Sequence, residues 1–424
     1  MALAPDASSV AAGRRLSGPG PWSGTGACAS PAAVWGSCQG SGRSAYVTVV
    51  DLAGPAFRCS CPSRKFPCKH AIGLLLLWAA GGVPDAEGPA DVAAGWLASR
   101  AERAQRTVTT PAAPDPEAAA RRAGQRRRRV ADGVADLERW LHDQVDQGLA
   151  GADRAGYRPY QQVAARLVDA QAPGLADGVR RLASAAAGGD GWPGRLLDEL
   201  ALLHLLVRAH ARLDTLDDAT AAVVRRRLGE PERTQDVLAG PALRDRWQVL
   251  GQSDASDGRL VVRRVHVHGE VSGRDAVVVA FAPPGQPLDV PLLVGSVVDA
   301  DVHAYPGDPT RVAVGERHGD PEPLRDVRGV GYAQVATAWS RLLAADPWAT
   351  ALPVVLGAVA PVRGTRGRWL LVDADGHASP VVGSEPPWRL LAVSGGHPVT
   401  VVGDRTVEGV RPVAAWTEDG LVPV

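Results

Sequence analysis

The residues of this 424-residue chain best suited to chemistry lie in Arg58-Cys-Ser-Cys-Pro-Ser-Arg-Lys-Phe-Pro-Cys-Lys-His70. Cys59 and Cys61 stand one residue apart, and Cys68 and His70 repeat that spacing after six intervening residues. Three thiolates and one imidazole form a tetrahedral zinc set, and soft sulfur with neutral imidazole favours zinc over magnesium or calcium. Four protein ligands leave no open position for water, so the expected role is structural.

The spacing constrains the elements that carry these ligands. Residues i and i+2 of a strand point to the same face, so Cys59 and Cys61 can converge on one ion. On a regular helix the same pair diverges by about 200°. Cys68 and His70 therefore fit only where a helix begins, with Cys68 just outside it and His70 in its first turn. Pro62 ends the strand and Pro67 turns the chain toward the helix. Val34–Trp35 and Tyr46–Val50 read as strands around a turn at Gly36–Ser44, and His70–Ala80 as an apolar helix stopped by Gly81–Gly82. That helix is apolar all round and needs cover from Tyr46–Val50, Phe57 and Phe66. The expected unit is a ββα module clamped by zinc. It has little core of its own, and structural zinc is worth roughly 10–16 kcal/mol of apparent binding energy in comparable peptides.

The motif Cys59-Ser-Cys61, a spacer, then Cys68-Lys-His70 resembles the SWIM zinc finger at all four ligands. The surrounding stretch, and Ala164–Ala176 further on, are similar to bacterial SWIM-finger proteins. The resemblance implies zinc binding and a role in contacting DNA or protein; it implies no single reaction.

Arg58, Arg64, Lys65 and Lys69 surround the ligands, and these two are the chain's only lysines. They either offset the net negative charge of zinc with three thiolates or form a patch for phosphate or a partner. Cys28 and Cys38 are open to three readings: extra metal ligands, a disulfide formed on oxidation, or ordinary small side chains. Arg121, Arg122 and Arg126–Arg129 form a basic run, suited to nucleic acid or an acidic partner, or to a solvated linker or helix start. No aromatics interleave with it for base stacking.

Other signals are weak. His266 and His268 alternate on a strand and are expected as an exposed pair. Asp373-Ala-Asp375-Gly376 echoes a calcium loop but lacks its remaining ligands and reads as a hairpin turn. No phosphate loop, dinucleotide fingerprint or nucleophile elbow occurs.

The expected fold class is α+β, in five stretches. Residues 1–30, rich in Gly, Pro, Ser and Ala, are expected to be disordered or loose. The finger module spans 31–99, a linker with the basic run 100–130, a helical bundle 131–239 and a β-rich antiparallel domain 240–424. The bundle rests on stripes such as Val134, Leu137, Leu141 and Val145, and Leu196, Leu197, Leu200, Leu203 and Val207. The β domain rests on short β-branched runs between turn residues, with a helix at Gly331–Ala345.

Composition bounds the function. With 46 basic and 46 acidic side chains the net charge is zero, so the bulk field does not grip nucleic acid. An apolar fraction of 45% excludes whole-chain disorder. Met1–Leu16 has no continuous apolar core, and the run Ala71–Ala80 is too short to span a bilayer. Five cysteines clustered before residue 70 fit metal ligation in the cytoplasm better than disulfides. The expectation is a cytoplasmic, non-enzymatic zinc protein that scaffolds a protein partner, without a membrane or small-molecule substrate. DNA binding through the basic residues around the finger is the alternative, and an enzyme site in the β domain a third reading.

Overall fold

The first unit is one antiparallel sheet in the order β1 (Trp22–Ala29), β2 (Ala32–Cys38), β3 (Tyr46–Asp51), β4 (Ala56–Cys59). The computed structural model describes residues 7–39, 44–52, 56–63, 67–108, 116–256, 260–284, 286, 288, 290, 292–365, 367–383, 386–418 and 420–424. Strand alternation sends Val34, Cys38 and Val50 to one face, where α2 (Lys69–Ala79) packs with Ala71, Leu74 and Leu77. It sends Cys28, Trp35 and Val49 to the other, against Ala93 and Leu97 of α3 (Asp91–Val108). Cys28 and Cys38 thus sit in cores on opposite faces, both buried and both free thiols.

Residues 1–30 were expected to be loose, but they hold helix α1 (Ala7–Arg14) and strand β1. Gly13 and Gly26 are there for packing. A Cβ on Gly26 would lie 2.5 Å from the Trp35 indole, so glycine lets β1 lie across that ring. Gly13 of α1 and Gly73 of α2 do the same for two helices: a Cβ at Gly13 would stand 2.5 Å from Ile72 Cγ2. The finger module is therefore larger than a ββα unit. The expected linker 100–130 also differs, since α3 runs through Val108 and α4 (Pro116–Gln147) carries the basic run.

Helices α4, α5 (Arg158–Asp169), α6 (Pro173–Ala186), α7 (Trp192–Ala211) and α8 (Asp218–Leu228) share one apolar core. Val134, Leu137, Leu141, Leu196, Leu200 and Leu203 point into it. Val145 and Leu197, read as part of those stripes, are 64% and 60% exposed. A short helix, α9 (Thr234–Leu238), leads to the β region.

There, β5 (Leu243–Ser256), β6 (Val261–Gly269), β7 (Asp275–Ala282), β8 (Ser296–Tyr305) and β9 (Asp308–Arg317) close into a barrel in the order β5-β6-β7-β9-β8-β5. The two-residue strand β10 (Glu322–Pro323) adds to β8. All pairings are antiparallel except β7–β9, which completes the closure. Closure removes the unpaired edges of a sheet. Trp247, Val249, Val265, Val267 and Val298 fill the interior. Helix α10 (Tyr332–Ala345) then leads to β11 (Ala351–Arg363), β12 (Trp369–Val372), β13 (Ala378–Pro380), α11 (Trp388–Ser394), β14 (Val399–Thr406), β15 (Gly409–Thr417) and β16 (Gly420–Pro423). These strands form an antiparallel sheet in the order β13-β12-β11-β14-β15-β16. The Asp373–Gly376 segment is the β12–β13 hairpin turn, with Asp373 Oδ1 accepting from the Asp375 and His377 amides.

The units are joined by specific contacts. Asp346, 1% exposed, accepts from Arg226 Nη2 at 2.6 Å and Arg227 Nε at 3.1 Å, while Arg226 also reaches Asp308 at 3.0 Å. Trp348 inserts into the helical core and donates to the Leu202 carbonyl at 2.8 Å. His266 was expected to be exposed with His268. Instead it is buried, with Nε2 3.0 Å from Asp404 of β14, because the second sheet covers the outer face of β6.

Candidate metal centre

The β3–β4 hairpin and α2 position the four ligands. Thr48 pairs with Cys59 across the hairpin, which places Cys59 at the end of β4. Cys61 lies two residues beyond the strand rather than on it, so the chain's bend after Cys59, not strand alternation, turns it to the cluster. Cys68 is the N-cap of α2 in extended conformation (φ −75°, ψ 168°), and His70 is in the first turn. A thiolate there faces the positive end of the helix dipole.

One ligand atom from each of Cys59, Cys61, Cys68 and His70 lies within 4.8 Å of all the others. His70 Nδ1 is 3.7 Å from Cys59 Sγ and 4.0 Å from Cys68 Sγ. Zinc with ordinary bond lengths sets tetrahedral S···N and S···S edges of about 3.5–3.8 Å. The donor set therefore fits zinc in type, number and spacing. His70 and Cys68 are buried, and the Cys59 and Cys61 thiols are half-buried. The thiols also share their protons unequally. The hydrogen bond with Cys68 pulls Cys59 well below the ordinary thiol range, the same bond and burial push Cys68 up, and burial raises Cys61. Zinc is the charge that lets all three ionise together.

Two neighbours were missed in the sequence. Thr48, fully buried, places Oγ1 3.2 Å from Cys59 Sγ, and the Tyr46 ring centroid stands 5.0 Å from that of His70. The first depends on the β3–β4 register and the second on how α2 lies against β3, neither of which residue spacing reveals. Of the four cations around the ligands, Arg58 and Lys69 are exposed beside the cluster. Arg64 and Lys65, like Phe66, fall outside the described residues. On α4, Arg127, Arg128 and Arg129 are exposed, whereas Arg126 turns inward to the carbonyls of Gln171 and Gly229.

Comparison with family models agrees with this geometry. Residues 49–79 match the SWIM zinc finger, and residues 125–228 match the SWIM-associated four-helix bundle domain. The chain carries a SWIM zinc finger followed by a SWIM-associated four-helix bundle domain. No curated protein and no solved structure matches it. The SWIM finger match covers the end of β3, β4 and α2, and α1, β1, β2 and α3 lie outside it. The bundle match spans most of α4 and all of α5–α8. Cys59, Cys61, Cys68 and His70 are positioned to bind the zinc of this SWIM finger.

Proposed function

We propose that this SWIM-type protein is a protein-interaction scaffold. The observation that carries this reading is the local cancellation of its arginine charge. Arg100 pairs with Asp51, Arg181 with Glu199, Arg208 with Glu138, Arg244 with Asp299 and Arg263 with Asp254. Phosphate-tracking surfaces need cations in excess. Apolar side chains are left at the surface instead: Trp388 of α11 is 69% exposed beside Pro386 and Pro387. Aromatic anchors of this kind favour protein contacts.

A second reading, DNA contact, is favoured by the exposed Arg58 and Lys69 beside the finger and by Arg127–Arg129 on α4. In keeping with the scaffold reading we take the protein to be non-catalytic and without a small-molecule substrate, because the finger's four ligands complete its zinc. None of the five cysteines is in a disulfide, which fits the reducing cytoplasm, and among the described residues no helix is long and apolar enough to cross a membrane.

The test has two arms. Affinity purification from the native host is expected to recover the same partners with wild type and with Lys65→Ala/Lys69→Ala, and to lose them with Cys61→Ser or Trp388→Ala. In a salt titration on duplex DNA, the scaffold reading expects no binding at about 50 mM salt. Tight binding that falls steeply with salt and weakens in Lys65→Ala/Lys69→Ala overturns it in favour of DNA.

A further inference from the structure

Away from the finger, the outer surface of the barrel gathers another set of ligand-type side chains. Asp301 lies on β8, Glu316 on β9 and His318 just past the end of β9. One ligand atom from each lies within 4.8 Å of the other two. We propose that Asp301, Glu316 and His318 form a second metal site, for a divalent transition ion such as zinc.

The backbone explains why these three meet. The β8–β9 ladder pairs Ala300 with Arg317 and Val302 with Val314, with a register shift between them. Gly315 and Glu316 thus stand opposite Asp301 alone, the pattern of a β-bulge, and bulges re-aim side chains. Ala300 fills the barrel interior, so by alternation Asp301 stands on the outer surface. The His318 amide donates to the Asp299 carbonyl at 2.8 Å, which anchors the third ligand against β8.

One of the donor atoms is short of partners. His318 Nε2 is buried and, among the described residues, has no hydrogen-bond partner. It stands 3.1 Å from Asp301 Oδ2, yet the pair is not aligned as a hydrogen bond. The nearby cation is already engaged: Arg244 donates through Nε and Nη2 to both oxygens of Asp299, at 3.0 and 2.9 Å. The two carboxylates held this close repel each other, and a bound cation relieves that repulsion, whereas His318 offsets it only when its imidazole is protonated. The mixed oxygen and nitrogen chemistry of the three suits zinc, cobalt, nickel or manganese. Three protein ligands leave room for water, unlike the closed finger.

Cobalt(II) separates the two sites in the full chain. Thiolate ligation at the finger produces strong near-ultraviolet charge-transfer absorption, whereas an oxygen–nitrogen site produces only weak visible bands. Wild type is expected to take up one more equivalent of metal than His318→Ala or Asp301→Asn, with the thiolate band unchanged in all three. Cys61→Ser is expected to lose the thiolate band and keep the barrel equivalent. Asp301→Asn preserves shape, and near-ultraviolet circular dichroism checks that its barrel is folded. Equal metal uptake by wild type, His318→Ala and folded Asp301→Asn overturns the proposal. Failure of the finger assignment reads differently, as a missing thiolate band in wild type.

Discussion

Helices α2 and α7 are both leucine-rich, yet they are held in place by different means. Helix α7 buries Leu196, Leu200, Leu203, Leu206 and Val207 in a core shared by five helices. Helix α2 buries Ala71, Leu74 and Leu77 against a small sheet, leaves Trp78 40% exposed, and begins at a metal ligand with no side-chain cap. Burying one leucine contributes about 1.5–3 kcal/mol, so α2 and the small cores on the two faces of its sheet compete less well with the entropy of ordering the module than the larger bundle core does. The difference teaches that the finger needs its ion as part of its core, whereas the bundle carries enough apolar surface to fold without one.

The largest effect that tests this contrast is loss of the ion. Cys61→Ser or His70→Ala is expected to abolish finger zinc and remove stabilisation on the scale of roughly 10 kcal/mol from that module. Hydrogen exchange should then become fast across residues 46–79 while α4–α8 stay protected. Equal loss of protection in the bundle would break the comparison. Trp348→Ala works in the opposite sense. It opens a cavity in the helical core and is expected to cost about 3–5 kcal/mol in chemical denaturation, with zinc content unchanged.

Asp346→Ala sharpens the comparison at the joint between units. It leaves Arg226 and Arg227 without their buried carboxylate and is expected to cost about 3 kcal/mol. Denaturation followed separately in the bundle and the barrel should lose its coincidence. The smallest effect concerns His268, whose pKa is raised by the Asp275 carboxylate 2.7 Å away, against the opposing pull of burial. A raised folded pKa stabilises fully below the unfolded value and is lost as pH rises through the folded one. Wild type should therefore lose up to about 1 kcal/mol relative to His268→Gln between pH 5.5 and 8.5. A difference of the opposite sign would contradict this assignment.

Sequence legibility followed the same division. The ligand set was readable because metal chemistry fixes residue type and spacing at once. The bundle stripes were readable from periodicity, although Val145 and Leu197 show that the period alone does not say which turn meets a neighbour. Strand β1 was hidden because Gly24 and Gly26 lower strand propensity while Trp35 requires the space. His266 was misjudged because its burial comes from β14, about 140 residues away in sequence. The Asp301, Glu316 and His318 group was invisible because a bulge, not spacing, assembles it.

X-ray absorption at the zinc edge is the most direct measurement. It should be made on His318→Ala loaded with one equivalent of metal, so that only the finger reports. The prediction is a shell of three sulfurs at about 2.3 Å and one nitrogen near 2.0–2.1 Å, with a sulfur lost in Cys61→Ser. A shell of oxygen and nitrogen alone would contradict the account.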